Sequence, residues 1–235
     1  MQFCLGDFTS KRSSSVSRYR EDLNATATRI ADLLIAEHHA GETLRAFGDT
    51  SAYSEIIESE GQIFLEVERF DRLPNGGRRG VVSLAAFDNE FVAHHADWSA
   101  TARRMTELKL VTSDVERRIR FRDTFGAFIA NSDRHTRNLS FFADGTQILD
   151  LAPNYDMSPW FFAPVSNTVT ERTFTTPRIS PANADVAEHA FAAAMAYWKE
   201  LESDSRLSQD FRAIASKSLV ALEQTHSLLD LLPRP

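Results

Sequence analysis

The sequence predicts an α+β protein with two lobes: a small α/β lobe, then a larger and mainly helical lobe with a hairpin at their junction. Three observations carry this. Apolar residues recur at three- and four-residue spacing early in the chain and again over most of its second half, which is the helical period. Between those stretches, two short runs carry the alternating or β-branched pattern of half-buried strands. Turn sequences punctuate the runs: Glu60-Gly61, Pro74-Asn75-Gly76-Gly77 and Asp144-Gly145.

In chain order, residues 1–24 are polar, with a Ser run at Ser13 to Ser15, and read as a poorly defined segment or a damaged strand. A helix is expected over 26–47, where Ile30, Leu33, Leu34, Gly41 and Leu44 form one stripe and Gly48 suits the C-cap. Strands are expected over 52–58 and 62–70, with one more short strand at 80–84, giving a small antiparallel sheet packed on one helix. The lobe boundary falls near 71–80, so that 25–74 form a partial small lobe with a hinge and 75–235 the larger lobe. From Trp98 onward the pattern is mainly helical, and Val115, Ile119, Phe125, Phe128 and Ile129 mark a helix ending near Asn131. Strands at 139–142 and 146–151 meet through Asp144-Gly145, a dipeptide that favours hairpins. Residues 153–186 have no period and read as loop. Helices at 187–202 and 208–232 close the chain, with Pro181 just before the first. There are no internal repeats.

Composition narrows the function classes. The chain has 235 residues, of which 43% are hydrophobic and 25% charged, enough apolar material for a sizeable core. A net charge of −7 leaves no basic footprint, so direct contact with nucleic acid is not expected. One cysteine, Cys4, excludes an internal disulfide framework and fits a reducing cytoplasm. No run of about 20 apolar residues offers a membrane span, and the first residues lack the layout of a signal peptide. A cytoplasmic protein is expected.

The densest polar constellation is Asn131-Ser132-Asp133-Arg134-His135-Thr136-Arg137-Asn138, between a hydrophobic helix and a strand. Read alone, it could be a solvated loop. The tight hairpin that follows, and then Leu151-Ala152-Pro153-Asn154-Tyr155-Asp156, can return Asp156 beside Asp133 and Asn138. Two carboxylates and an amide oxygen would then converge. Phosphoryl transfer needs such a set, with one Asp to take the proton of the attacking hydroxyl and a second Asp and an Asn to hold Mg²⁺ on the phosphates of ATP. Magnesium favours hard oxygen ligands and keeps several waters, so two protein ligands suffice.

The Asn-Ser-Asp-Arg-His-Thr-Arg-Asn run resembles the N-x-D-x-H-x-x-N catalytic loop of HipA-like serine/threonine kinases. Leu-Ala-Pro-Asn-Tyr-Asp resembles their counterpart of the D-F-G segment, and Val67-Glu68-Arg69-Phe70-Asp71-Arg72 resembles the segment linking their lobes. The three motifs stand in the family's order over roughly residues 25–230. The resemblance implies a two-lobed protein-kinase-like fold of the HipA type and ATP-dependent phosphorylation of Ser/Thr in a protein substrate. The family's substrate class includes aminoacyl-tRNA synthetases, and its toxin–antitoxin setting often pairs the kinase with a DNA-binding antitoxin. Asp133 would be the catalytic base, His135 would brace the loop, Asn138 and Asp156 would bind Mg²⁺, and Glu68 and Phe70 would contact adenine. Read alone, His135 could cap a turn, Phe70 could be core, and Asp71 with Arg72 could be a surface pair.

Glu37 falls on the apolar stripe of the 26–47 helix, where a carboxylate is costly unless paired. Kinases supply such a pair, a strand Lys that bonds a helix Glu and reaches the ATP phosphates. The alternative places Glu37 at the edge of the stripe, in water. Where the family carries that Lys, followed by an aromatic and Ser-Pro, the nearest match is Ser17-Arg18-Tyr19-Arg20. Arg18 then stands at the lysine position, a swap that is not neutral, and Lys11 lies in a worse register. No G-x-G-x-x-G is present, so a phosphate-covering lid is expected to be absent or supplied by another chain, such as an upstream fragment of the small lobe. A pseudokinase or split-kinase half acting as a binding module is therefore the alternative reading. Metal-dependent hydrolysis at Asp133, His135 and Asp156 ranks third, because it leaves the hinge-like 68–72 segment unexplained. His38-His39 are adjacent on a helix and face apart, and His94-His95 have no carboxylate cluster beside them. Arg103-Arg104 and Arg117-Arg118 read as solvated helix faces, and Trp98, Trp160 and Trp198 as packing.

Overall fold

A computed structural model describes residues 12–19, 25–74 and 76–229, with side chains described for 25–74 and 76–226. Strand β1 (Arg12–Tyr19) pairs antiparallel with β3 (Gln62–Glu68), which pairs on its other side with β2 (Ser54–Ser59). The order β1-β3-β2 puts the last strand in the middle. A strand thus runs through the stretch read as poorly defined or as a damaged strand, whereas Lys11 lies outside the described residues. β2 and β3 meet at Glu60-Gly61, both with positive φ (49° and 73°), the two-residue turn whose twist suits a hairpin.

Helix α1 (Ala25–Ala46) separates β1 from β2. Its buried residues do not keep to one stripe: Ala31, Leu33, Leu34, Ile35, Ala36, Ala40 and Leu44 all lie inside. The reason is tertiary, since α1 packs on the sheet and also on α5 (Ala184–Ser203). It ends at Gly48 (φ 82°) with Gly48 N–H donating to the Arg45 carbonyl and Asp49 N–H to the Leu44 carbonyl. This paired closure uses the glycine's freedom at positive φ and consumes two orphan carbonyls.

The strand expected at 80–84 is β4 (Val81–Ser83), but it does not join the first sheet. It pairs with β5 (Ser140–Asp144), which pairs with β6 (Gln147–Leu151), giving a second antiparallel sheet of order β4-β5-β6. Sequence patterning also misses the short helix α2 (Leu84–Phe87), capped by the Ser83 hydroxyl and continued by a π-turn over Asp88–Val92. The remaining α-helices among the described residues are α3 (Trp98–Glu107), α4 (Ser113–Phe128), α5 and α6 (Gln209–Leu229), each packed on the next. Trp98, Phe125, Phe128, Tyr197, Trp198 and Phe211 fill the interior between them, and one apolar cluster runs from α1 through to α6. Trp160 packs against this cluster from its edge.

Candidate active site

The polar loop follows α4 through Ala130, whose positive φ of 57° turns the chain out of the helix. It is held largely by its own backbone. Asp133 N–H donates to the side-chain oxygen of buried Asn131 at 2.8 Å, His135 N–H to the Asp133 carbonyl at 2.8 Å, and Asn138 N–H to the His135 carbonyl at 2.9 Å. The Asn138 amide donates to the Asp133 carbonyl at 3.1 Å. Arg134 reaches back to Asp123 on α4 (3.0 Å) and to the Asn131 carbonyl. Gly126 makes this possible, because a Cβ there would stand 2.6 Å from Arg134 Cδ and 3.2 Å from Met157 Sδ.

The hairpin then returns Asp156 to the loop, and Asp133, Asn138 and Asp156 come together. Asp156 has positive φ (55°). Its carboxyl pKa is raised by burial first and by the Asp133 charge second, against a hydrogen bond from Asn138 and the attraction of His135. Asp133 keeps 45% of its side chain open, and its Oδ1 lies 3.9 Å from His135 Nε2. The His135 ring is half exposed, and the hydrogen bonds that tie this residue into the loop are those of its main chain: besides the two turn bonds, its carbonyl accepts from Trp98 Nε1 at 3.1 Å.

Glu37 also belongs to this group. The Asp156 backbone N–H bonds its carboxyl, burial and the Asp156 charge oppose its ionisation, and the balance raises its pKa to about 8. Glu37 is thus partly buried beside Asp156 rather than standing free in water. No cation pairs with it among the described side chains. Arg18 stands in β1 opposite Ile63, and its side chain lies outside the described residues.

The hinge-like segment approaches from β3. Glu68 is exposed, with its N–H donating to the Tyr53 carbonyl at 2.8 Å. Phe70 is half-buried against Phe142 and Tyr155, with ring centroids 5.9 and 5.7 Å away. The Tyr155 hydroxyl donates to the Arg137 carbonyl and meets Ser140 at 2.6 Å, so the hinge, the loop and the residue before Asp156 share one aromatic contact. Asp71 is bound in a fork by Arg69 (2.8 and 2.7 Å) and is 3.7 Å from Arg72.

Sequence reasoning missed what positions 150–156. Arg122, 2% exposed on α4, binds both oxygens of Asp49 and donates to the carbonyls of Thr50 (3.0 Å) and Ala152 (2.8 Å). The Asn154 carbonyl accepts from Ala52 N–H, and Asn154 N–H donates to the Thr50 carbonyl. A charged residue on the otherwise apolar face of α4 was the available signal. Arg118, read as solvated, is part of the same network, contacting Asp49 at 3.4 Å and Asp150 at 3.1 Å. Arg103, read likewise, bonds Asn183 at 2.9 Å. Asp88 accepts from the backbone N–H groups of His94 and His95. His38 bonds Ser54, and His39 bonds Asp204. Among the described residues, no three His, Cys, Asp or Glu side chains gather to hold a metal ion by themselves. Asp156 and Asn138 offer the two-oxygen set that magnesium accepts alongside phosphates and water.

The pattern of the HipA-like C-terminal domain matches residues 11–225. This chain belongs to the HipA-like C-terminal domain family. Toxin YjjJ of Escherichia coli (strain K12) is 35% identical over 198 residues, 82% of this chain but 44% of the toxin, so this HipA-like chain spans less than half the length of that relative. Two solved structures show the fold. One is the Shewanella oneidensis MR-1 toxin–antitoxin complex of HipA, HipB and its operator DNA (TM-score 0.60, 14% identity, 94% of this chain and 60% of that one). The other is the Helicobacter pylori proinflammatory kinase CtkA (TM-score 0.52, 12% identity, 85% of each chain). The HipA-like fold is therefore kinase-like, as the motifs predicted.

Proposed function

We propose that this chain is the catalytic portion of an ATP-dependent, HipA-like serine/threonine protein kinase of toxin–antitoxin type. The observation that carries this is the meeting of Asp133, Asn138 and Asp156 in one hydrogen-bonded and electrostatic group. Asp133, the more open carboxylate, takes the proton of the substrate hydroxyl as that oxygen bonds the γ-phosphorus and the bond to the β-phosphate oxygen breaks. Asn138 and Asp156 hold Mg²⁺, which supplies positive charge to the phosphates when bound. His135 keeps the loop in shape. Residues 25–74 act as the partial small lobe, and Glu68 and Phe70 border the adenine. Arg18, on β1, is the proposed counterpart of the family's nucleotide-binding lysine. The substrate is a protein in the cytoplasm. A DNA-binding antitoxin is the proposed partner, supported by the HipB complex of the Shewanella relative, while the net charge of −7 argues against direct DNA contact. No helix among the described residues is long and apolar enough to cross a membrane.

A second reading rests on Glu37. A carboxyl held near pKa 8 has no cation beside it among the described side chains, which suits a pseudokinase or a split kinase completed by an upstream small-lobe fragment. Calorimetry of Mg-ATP binding to the purified chain and to Asp156→Ala separates the two. Saturable binding that disappears in the variant supports the kinase, and Asp133→Ala should then keep binding while losing phosphoryl transfer by several orders of magnitude. No binding by the intact chain would replace the first reading with the second.

A further inference from the structure

A groove of about 440 Å³ runs between α6 and the segment 169–174, with the start of α1 along one side. None of Glu37, Asp133, Asn138 or Asp156 lines it. From α6 it receives Asp210, Ile214, Lys217, Ser218 and Ala221, whose spacing of three and four places them on one helix face. Phe162 and Phe174 add aromatic wall.

Two buried polar groups in this groove are left short of partners. Arg29 is 7% exposed, yet its guanidinium makes one hydrogen bond, from Nη1 to the Phe162 carbonyl at 3.1 Å. It lies 5.5 Å over the Phe211 ring, and among the described residues no carboxylate forms an ion pair with it. Burial lowers its pKa, opposed only at a distance by Asp32 and Asp210. The second group is Ser218, 1% exposed, whose hydroxyl has no hydrogen-bond partner among the described residues. Buried polar atoms are nearly always satisfied, so orphans beside a groove call for an occupant. The other charges sit at the rim. Lys217 and Glu171 are 4.0 Å apart and mostly in water, and Arg172 is directed to the Phe161 carbonyl and ring. Asp210 is exposed as well, so the buried charge among the lining residues is the Arg29 guanidinium, flanked by apolar wall.

We propose that this groove binds a small amphipathic anion, its carboxylate or phosphate-monoester head on Arg29 and its apolar body along Phe162, Phe174 and Ile214. A guanidinium presents a planar fork of donors that matches an oxyanion, and a desolvated one binds it more strongly than a solvated lysine. The volume suits a compact ligand. Because this site shares no side chain with the Asp133 group, its test is independent of the kinase reading.

The test is calorimetric titration of the whole chain with octanoate and, separately, octyl phosphate. Saturation at one site per chain by either probe is expected, and the tighter one identifies the head group. Ala213→Trp, at an exposed groove position, should abolish binding without lowering the melting temperature. Ser218→Ala should weaken it severalfold, and Arg29→Gln tenfold or more. Failure of both probes to saturate would overturn the proposal. So would equal binding by Ala213→Trp, which would mark the uptake as surface adsorption.

Discussion

The two segments that build the site are held in opposite ways. The 131–138 loop is tied mostly to itself: Asn131, Asp133, His135 and Asn138 bond one another's backbones within a few residues. The 151–156 segment makes almost no such local bonds and hangs instead on distant partners, Thr50 and Ala52 across about a hundred residues and Arg122 across 30. A self-braced loop can keep its shape while its surroundings shift. A remotely anchored one moves with its anchor, so the position of Asp156 depends on the buried Arg122–Asp49 pair in a way that the position of Asp133 does not.

Breaking that anchor should have the largest effect. Asp49→Ala strands the Arg122 guanidinium, 2% exposed, without its counter-charge, and removing one partner of a buried pair costs about 3–5 kcal/mol. Denaturant unfolding should show that loss, and Mg-ATP binding should weaken with it. A change under about 1 kcal/mol would mean that water enters and the anchor is not buried.

The next effect concerns pH. The folded-state pKa of Glu37 is raised to about 8 from an ordinary 4.5, by burial first and Asp156 second. The folded chain then holds a proton that the unfolded chain releases, so this group's contribution is complete below pH 4.5 and fades as pH rises through 8. Glu37→Gln should abolish that decline, sparing on the order of 2 kcal/mol between pH 5 and pH 9 after allowance for residual solvent contact. Chemical denaturation at the two pH values checks it. An unchanged slope would show that a cation already neutralises Glu37.

The same contrast explains what could be read from the sequence. The 131–138 loop was legible because its residues serve one another at short spacing, and the flanking helix and hairpin announce themselves by period and turn. The positions of α1, β2, β3, β5, β6, α5 and α6 follow from the same local rules. The Arg122–Asp49 anchor was illegible: nothing in Arg117-Arg118 or Arg122 says that a helix-capping Asp 73 residues earlier is the partner. The pairing of β4 with β5 depends likewise on a contact across some sixty residues. Local pattern names the elements, and only the packed chain decides which of them meet.

A smaller effect probes the self-braced side. In Gly126→Ala the new methyl would stand 2.6 Å from Arg134 Cδ, so the arginine must leave its contacts with Asp123 and Asn131. Crowding of this kind costs about 1–3 kcal/mol, and the lower end is expected because the side chain can swing out. Stability should fall modestly while Mg-ATP binding, proposed to rest on Asp156 and Asn138, changes little. A collapse of binding would show that the loop leans on Arg134 more than on its own backbone.

The smallest effect should come from Arg118→Ala. This residue touches both anchors' territory, at Asp49 and Asp150, yet Asp150 is 57% exposed and Asp49 is already bound in a fork by Arg122. Partly exposed ion pairs contribute about 0–1 kcal/mol, so the unfolding midpoint should move slightly, and less at high salt. Made together with Asp49→Ala, the two changes should cost less than their sum, since Arg118 has then lost one of its two carboxylate partners. A sum that is fully additive would mean that Arg118 acts through Asp150 alone, and that the anchor of the remotely held segment consists of Arg122 and Asp49 without help.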